Sequence, residues 1–148
     1  MVFSGGIRAA ALTDLDALVE CDPVAGGDVE RRTQIESAVI SGQCQVWEFD
    51  GKITGFIIKV PLDFFQRDFV SLIVVSGSHR RQGIGRALMR EAVETSPRTE
   101  VWISTNESNF AMRGLLASED WQFSGTLTGL DDGDPEFVFF KRGKINSP

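Results

Sequence analysis

The sequence predicts a mixed α/β fold in which a mixed sheet carries helices on both faces. Three features in succession predict it. A hairpin signal stands at Asp50-Gly51, an apolar strand runs from Phe69 into a glycine-rich turn and an amphipathic helix, and a second hairpin closes the chain. A crossover flanked by hairpins makes the sheet mixed and puts helices against it.

The elements follow in order. Ile7 to Ala10 reads as a short strand. Thr13 reads as a helix N-cap, with Leu15, Leu18 and Val19 at helical spacing behind it. Pro23, Gly26 and Gly27 make Cys21 to Asp28 a loop. Val29 to Ile40 is a second helix with Ile35, Ala38 and Val39 facing inward, and Gly42 ends it. Gln43 to Phe49 and Ile53 to Val60 flank the Asp50-Gly51 turn, and Pro61 to Phe65 is irregular. The run FVSLIVV, Phe69 to Val75, has the character of a central strand buried on both faces. Ile84, Ala87, Leu88, Ala92 and Val93 form the stripe of a helix over Ile84 to Thr95, with Pro97 beyond its end. Glu100 to Thr105 is a strand, Asn109 to Glu119 a helix and Trp121 to Leu127 a strand. A turn at Asp131-Asp132-Gly133-Asp134-Pro135 leads into the last strand, Glu136 to Lys141.

Composition narrows the function. The 148 residues fit one domain, 1–148, and an apolar fraction of 42% supplies a core. A net charge of −6 and a pI near 4.8 argue against broad binding to nucleic acid or an anionic membrane. Two cysteines, Cys21 and Cys44, are too few for a disulfide framework and read as small buried hydrophobes. One histidine and no C-x-x-C leave no metal spacing. The start, MVFSGGIRAA, lacks the pattern of a secretory signal, and no segment has the apolar length of a membrane span. The expectation is a cytoplasmic protein. Eleven Phe and three Trp stand beside no Tyr, so aromatic mass is plentiful and no phenol is available for acid-base chemistry.

One segment carries chemistry. Ser76-Gly77-Ser78-His79-Arg80-Arg81-Gln82-Gly83-Ile84-Gly85-Arg86 joins the apolar strand to its helix. Two glycines spaced by one residue let backbone approach a ligand, and the helix start offers free N–H groups and a positive dipole end. Arg80, Arg81 and Arg86 add positive charge, so a pyrophosphate fits. A dinucleotide fingerprint needs a third small residue where Leu88 stands, and a Walker loop needs Gly-Lys-Ser/Thr.

The pattern R-x-x-G-x-G at Arg80 to Gly85 after an apolar strand resembles the GCN5-related N-acetyltransferases (GNAT). So do Ser104-Thr105-Asn106-Glu107-Ser108-Asn109 opening a helix, Asp120-Trp121-Gln122-Phe123 where the family has Gly-Phe, and the element order. The resemblance spans nearly the whole chain. It implies a mostly antiparallel central sheet of six or seven strands with about four helices. It implies that acetyl-CoA is the co-substrate and that the chain transfers an acetyl group to an amine of a small molecule or protein. Pantetheine would pair with the backbone of Ile73, Val74 and Val75. The pyrophosphate would rest on Arg80, Arg81, Gln82, Gly83, Ile84, Gly85 and Arg86, and Asn109 would contact the cofactor arm. A homodimer is a common assembly for the family.

The chain departs from the family at its acid and base. The tyrosine seven residues after Asn109 is replaced by Leu116, and the glutamate positions on the two central strands carry Ser71 or Leu72, and Ser104. The remaining catalytic candidates are water relayed through Ser71 or Ser104, or a carboxylate among Glu48, Asp63 and Asp68. Transfer by positioning remains feasible, since orientation is worth about 7–11 kcal/mol and acid-base assistance about 10²–10⁴-fold. The alternative is a non-catalytic module that binds acyl-CoA as a sensor or scaffold. A third reading is a nucleotide-binding module of another fold.

Overall fold

The computed structural model describes residues 5–80, 82–96 and 100–143. Its elements are β1 (Gly5–Ala9), α1 (Leu15–Cys21), α2 (Val29–Ile40), β2 (Cys44–Phe49), β3 (Lys52–Phe64), β4 (Arg67–Val75), α3 (Ile84–Glu94), β5 (Glu100–Asn106), α4 (Phe110–Ser118), β6 (Gln122–Leu127) and β7 (Glu136–Arg142). The seven strands form a sheet in the order β1-β2-β3-β4-β5-β7-β6. β1–β2, β2–β3, β5–β7 and β6–β7 are antiparallel, and β4–β5 is parallel. The predicted mixed, mostly antiparallel sheet with four helices is therefore present. By contacts the chain divides into two compact units, residues 1–60 with 72–89 and residues 61–71 with 90–148.

In the first unit, α1 and α2 pack on β2 and β3. Leu18, Ile35, Ala38, Val39, Cys44, Val46, Phe56 and Ile58 form the core, each under 8% exposed. Gly42 closes α2 at φ 71, its N–H bonding Val39 O while Gln43 N–H bonds Ala38 O. Asp50 and Gly51 both take positive φ, as the β2–β3 hairpin requires. The cap of α1 differs from expectation. Thr13 lies within a short 3-10 turn, Leu12–Asp14, so Asp14 takes the position before α1 and makes no side-chain cap bond to it. Its Oδ2 instead closes the 3-10 turn, accepting from Ala11 N–H at 2.7 Å and from Arg8 Nη1 at 2.8 Å. Asp22 ends α1 and is 3% exposed. One carboxylate oxygen accepts from Val24 N–H at 2.9 Å and the other from Arg31 Nη1 at 2.7 Å, which ties the α1–α2 connection to the first turn of α2.

In the second unit, β5 is flanked by β4 and β7. Its alternation is clean: Val101, Ile103 and Thr105 are buried, and Glu100, Trp102, Ser104 and Asn106 on the other face are half-buried. On that second face Trp102 stacks on Phe140, its β7 partner, at 4.7 Å and 24°. Phe64 stacks on Phe69 at 5.3 Å and lies 5.4 Å from Trp102. α4 buries Leu116 at 0% exposure, and Asp120 takes φ 60 to let Trp121 turn in behind it.

Two further expectations are corrected. Pro61 to Phe65 is irregular only in part: β3 continues to Phe64, but Leu62 within it takes φ 58, and the strand then turns at Phe65-Gln66 with positive φ at both residues. Neither is a glycine, and the Phe64–Phe69 and Phe64–Phe65 ring contacts offset the backbone strain. β4 is not buried on both faces. Only Val70 is fully buried, and Ser71 to Val75 are half-buried. The register with β5 covers Asp68 to Val70, so the last five residues run beyond it. Pro97, expected to mark the end of α3, lies outside the described residues.

Removing the buried Asp22 carboxylate leaves Arg31 and Val24 N–H without their partner. Asp22→Ala should cost about 3 kcal/mol in urea unfolding. A loss below about 0.5 kcal/mol would show that the buried pair is dispensable.

Candidate functional site

The segment expected to bind the anion begins where β4 ends. Ser76 N–H continues the strand by bonding Thr54 O on β3 at 2.8 Å. Gly77–His79 form a short 3-10 turn, held by a polar triangle of Ser76 Oγ, Ser78 Oγ and His79 Nδ1 with sides of 3.0 to 3.3 Å. His79 is thereby committed to the turn, as a lone loop histidine usually is. Arg80 is exposed, and Arg81 lies outside the described residues. Gln82, Gly83 and Arg86 are exposed at the mouth of α3, while Ile84 is 3% exposed and anchors the first turn. Gly83 takes φ +81, and a Cβ there would meet nothing within 4 Å. Backbone is thus bare and approachable where the dipole end of an eleven-residue helix opens.

What seats that helix was not read from the sequence. Gly55 on β3 is buried, and a Cβ on it would lie 2.9 Å from Ile84 Cγ2 and 3.1 Å from Val74 O. Only glycine lets α3 descend onto the strand. Phe56, the next residue, points into the α1–α2 core, so this unit carries helices on opposite sides of β3. The available signal was a lone glycine inside the strand pattern ITGFII, which marks a close approach.

The second group of site residues lies in the other unit, where β5 meets α4. Asn109 is exposed and its Oδ1 caps α4 by accepting from Met112 N–H at 3.2 Å. That bond fixes the rotamer and leaves Nδ2 pointing elsewhere. The preceding turn is clamped by the β6–β7 loop: Asn106 Nδ2 donates to Asp131 Oδ2 at 2.9 Å, and Asp134 accepts from Ser108 N–H at 3.0 Å and from Ser108 Oγ at 2.6 Å. The acidic turn is therefore partly structural. Spacing gave no sign of these bonds, because their partners lie more than 20 residues apart.

The catalytic candidates scatter. Ser71 and Ser104 are half-buried in the second unit. Asp68 accepts from Ser96 Oγ at 2.6 Å and from Leu62 N–H at 3.3 Å, so it anchors the end of α3. Glu48 holds Arg8 across the β1–β2 pair at 2.5 Å. Asp63 is exposed on β3. Leu116, in the tyrosine position, is core. Burial pushes both thiols up from their ordinary 9.0, Cys21 to about 11 and Cys44 to about 12, which keeps them protonated and unreactive near neutral pH.

Comparison with known proteins now adds to this geometry. Residues 14–118 match the model of the acetyltransferase (GNAT) family. A GNAT acetyltransferase from Bacillus cereus superposes with a TM-score of 0.87 at 33% identity, covering 94% of this chain and 97% of that one. A ribosomal-protein-alanine N-acetyltransferase from Brucella melitensis gives a TM-score of 0.73 at 25% identity, covering 93% and 99%. YncA of Salmonella typhimurium, a putative acetyltransferase solved with acetyl-CoA, shares the fold at 17% identity and a TM-score of 0.77, covering 98% and 96%. No curated protein matches.

Gly55→Ala should cost about 1–3 kcal/mol by overpacking α3 against β3, read as a lowered Tm. An unchanged Tm would mean that the helix is free to shift. A thiol whose folded pKa exceeds its unfolded one adds stability below pH 9 that is lost as pH rises through 11 to 12. Native Cys21 and Cys44 should therefore react slowly with an aromatic disulfide at pH 8 and rapidly once unfolded. A fast native reaction would contradict the burial.

Proposed function

The chain belongs to the GNAT acetyltransferase family, and on that premise we propose that it transfers the acetyl group of acetyl-CoA to an amine. The observation that carries the proposal is the junction of β4 and α3. There a half-buried strand end, a bare Gly83 and a helix N-terminus with exposed Arg80 and Arg86 beside it follow one another within about a dozen residues. These groups fit a pyrophosphate joined to an extended amide-bearing arm. The main chain of Ile73, Val74 and Val75 would pair with the arm, in the manner of an added strand. Arg80, Arg81, Gln82, Gly83, Ile84, Gly85 and Arg86 would cradle the pyrophosphate. Asn109, its Oδ1 committed to the cap, would offer Nδ2 to the same molecule. The whole of 1–148 would act as one acetyl-CoA-binding domain.

Acetyl-CoA supplies an activated thioester. The chain's part is to hold it, hold a neutral amine against it and move one proton. The C–N bond forms as the C–S bond breaks, and a thiol of ordinary pKa near 8.5 leaves without an obligatory acid. Backbone N–H groups near Val75 would stabilise the developing oxyanion. Water relayed through Ser71 or Ser104 would be one route for the proton, while Glu48 and Asp68 are engaged by Arg8 and Ser96. No helix among the described residues is long and apolar enough to cross a membrane, and two protonated, unpaired thiols suit a reducing cytoplasm. The ribosomal-protein acetyltransferase relative makes a protein amine one acceptor class to test, and a small-molecule amine is the other.

One observation favours a second reading, an acyl-CoA-binding module without catalysis. The tyrosine position is a core leucine, and the chain contains no tyrosine. A screen of small and peptide amines read by thiol release separates the two. Transfer predicts CoA release with some acceptor, whereas binding without release from any amine would favour the module. In both readings acetyl-CoA at about 100 Kd should add about 2.7 kcal/mol of stability, and Gly85→Glu should abolish that gain. Retained stabilisation in Gly85→Glu would overturn the assignment of the cradle.

A further inference from the structure

The second unit contains a hollow and, beside it, a hairpin that holds a bulky ring in a strained turn. The hollow, a cavity of about 440 Å³, is lined by Phe64 and Phe65 from the β3–β4 hairpin, Arg67 and Glu100 from the starts of β4 and β5, Trp102 from β5 and Gly125 from β6. Its volume is that of a small-molecule pocket. The rings that line it are braced: Phe64 meets Phe65 edge-on at 4.9 Å and lies 5.4 Å from Trp102, which stacks on Phe140 at 4.7 Å. The charges are already committed, since Arg67 Nε donates to Glu100 Oε1 at 3.3 Å and Arg67 Nη1 donates to Phe65 O at 2.9 Å. Trp102 Nε1 is buried and has no hydrogen-bond partner. A buried donor without an acceptor is destabilising and calls for an explanation.

The hairpin is a separate observation. A two-residue turn with positive φ at both positions favours a glycine in the pair, as at Asp50-Gly51. Here Phe65 takes φ 49 and Gln66 φ 65, and Leu62 before them takes φ 58. A bulky residue at positive φ is a genuine outlier, and such outliers cluster at ligand clamps. Beyond its edge contact with Phe64, the Phe65 ring stays 80% exposed. A glycine-bearing turn would be less strained, so the fold alone does not account for a phenylalanine there. At the β6 side the hollow is left open by Gly125, where a Cβ would meet nothing within 4 Å.

We propose that this hollow is a binding site for a flat, uncharged aromatic molecule carrying one hydrogen-bond acceptor, with the Phe65 ring as one of its walls. The molecule would lie against Phe64, Phe65 and Trp102, whose rings favour a further ring in offset or edge-on contact. Its acceptor atom would take the Trp102 Nε1 hydrogen. A charged ligand gains no ionic partner, because Arg67 and Glu100 hold each other. The site lies wholly in the second unit, so the inference goes beyond acetyl transfer and does not rest on it.

The probe is quinoline, which is flat, uncharged near neutral pH and carries one acceptor nitrogen. Naphthoate and cyclohexanone serve as its charged and non-planar controls. The readout is the Trp102 indole N–H signal of the isotope-labelled full chain, assigned by its loss in Trp102→Phe. Quinoline should move that signal downfield to saturation and bind about tenfold more tightly than either control. Gly125→Leu should weaken quinoline about tenfold by filling the hollow. The double variant Phe65→Asn with Gln66→Gly should raise Tm by relaxing the turn and still weaken quinoline several-fold. A Trp102 signal that quinoline does not move, equal affinity for the three probes, or unweakened binding in both variants would overturn the inference. So would a wild-type dimer that the double variant dissociates, since a second copy would then occupy the hollow. A lowered Tm in the double variant would assign Phe65 to the fold and overturn its part in the site. If Gly125→Leu does not fold, as its Tm would show, the double variant and the ranking of the probes decide.

Discussion

The first turn of α3 lies on bare backbone at Gly55, and the seating of that helix start depends on the contact. A methyl group in the gap would stand 2.9 Å from Ile84 Cγ2 and 3.1 Å from Val74 O, closer than packed atoms tolerate. With glycine there, Ile84 and Leu88 sink to 3% and 0% exposure. That seating sets where the N–H groups of the first turn of α3 point. The helix is fixed by its buried stripe, each large side chain contributing about 1.5–3 kcal/mol, and the loop inherits its geometry from both ends. Any anion affinity at this helix start would thus derive from core packing as much as from the arginines beside it.

The second unit shows the same economy with different means. Trp102, Phe140, Phe64 and Phe69 make a stacked wall on one face of the β4–β5–β7 sheet, and Val101, Ile103 and Leu116 close the other. Asp131 and Asp134 fasten the β6–β7 loop to the turn that presents Asn109. Wall and clamp both belong to the second unit. The position where the family has tyrosine has been given to the core as Leu116. A leucine there is worth more to stability than a buried phenol without a partner would be.

The fold was legible because its signals are local. The Asp50-Gly51 turn, the Gly42 stop, the Ile84-Leu88-Ala92 stripe and the two-residue period of β5 each depend on neighbours within a few positions. The glycines and arginines proposed as the cradle are local signals of the same kind. What escaped was set by contacts across the chain. The Phe65-Gln66 turn carries no glycine and is held by rings from the two strands it joins, and Leu62 takes a positive φ, so β3 looked as though it ended at Val60. The run FVSLIVV looked like a doubly buried strand, because apolar character alone does not say how far a neighbour's register extends. Thr13 fell inside a 3-10 turn that Asp14 closes on Ala11 while Arg8 reaches it from β1, so no hydroxyl stood at the start of α1. Glu48 and Asp68, attractive as free carboxylates in one dimension, are structural anchors in three.

The central claim is that main-chain amides at the β4–α3 junction hold acetyl-CoA. The most direct measurement is an amide chemical-shift titration of the labelled protein with acetyl-CoA, with NAD as control. The account predicts that Ile73 to Val75 and Gln82 to Arg86 shift together and saturate at one Kd, with no comparable response to NAD. Shifts confined to other parts of the chain, or an equal response to NAD, would contradict it.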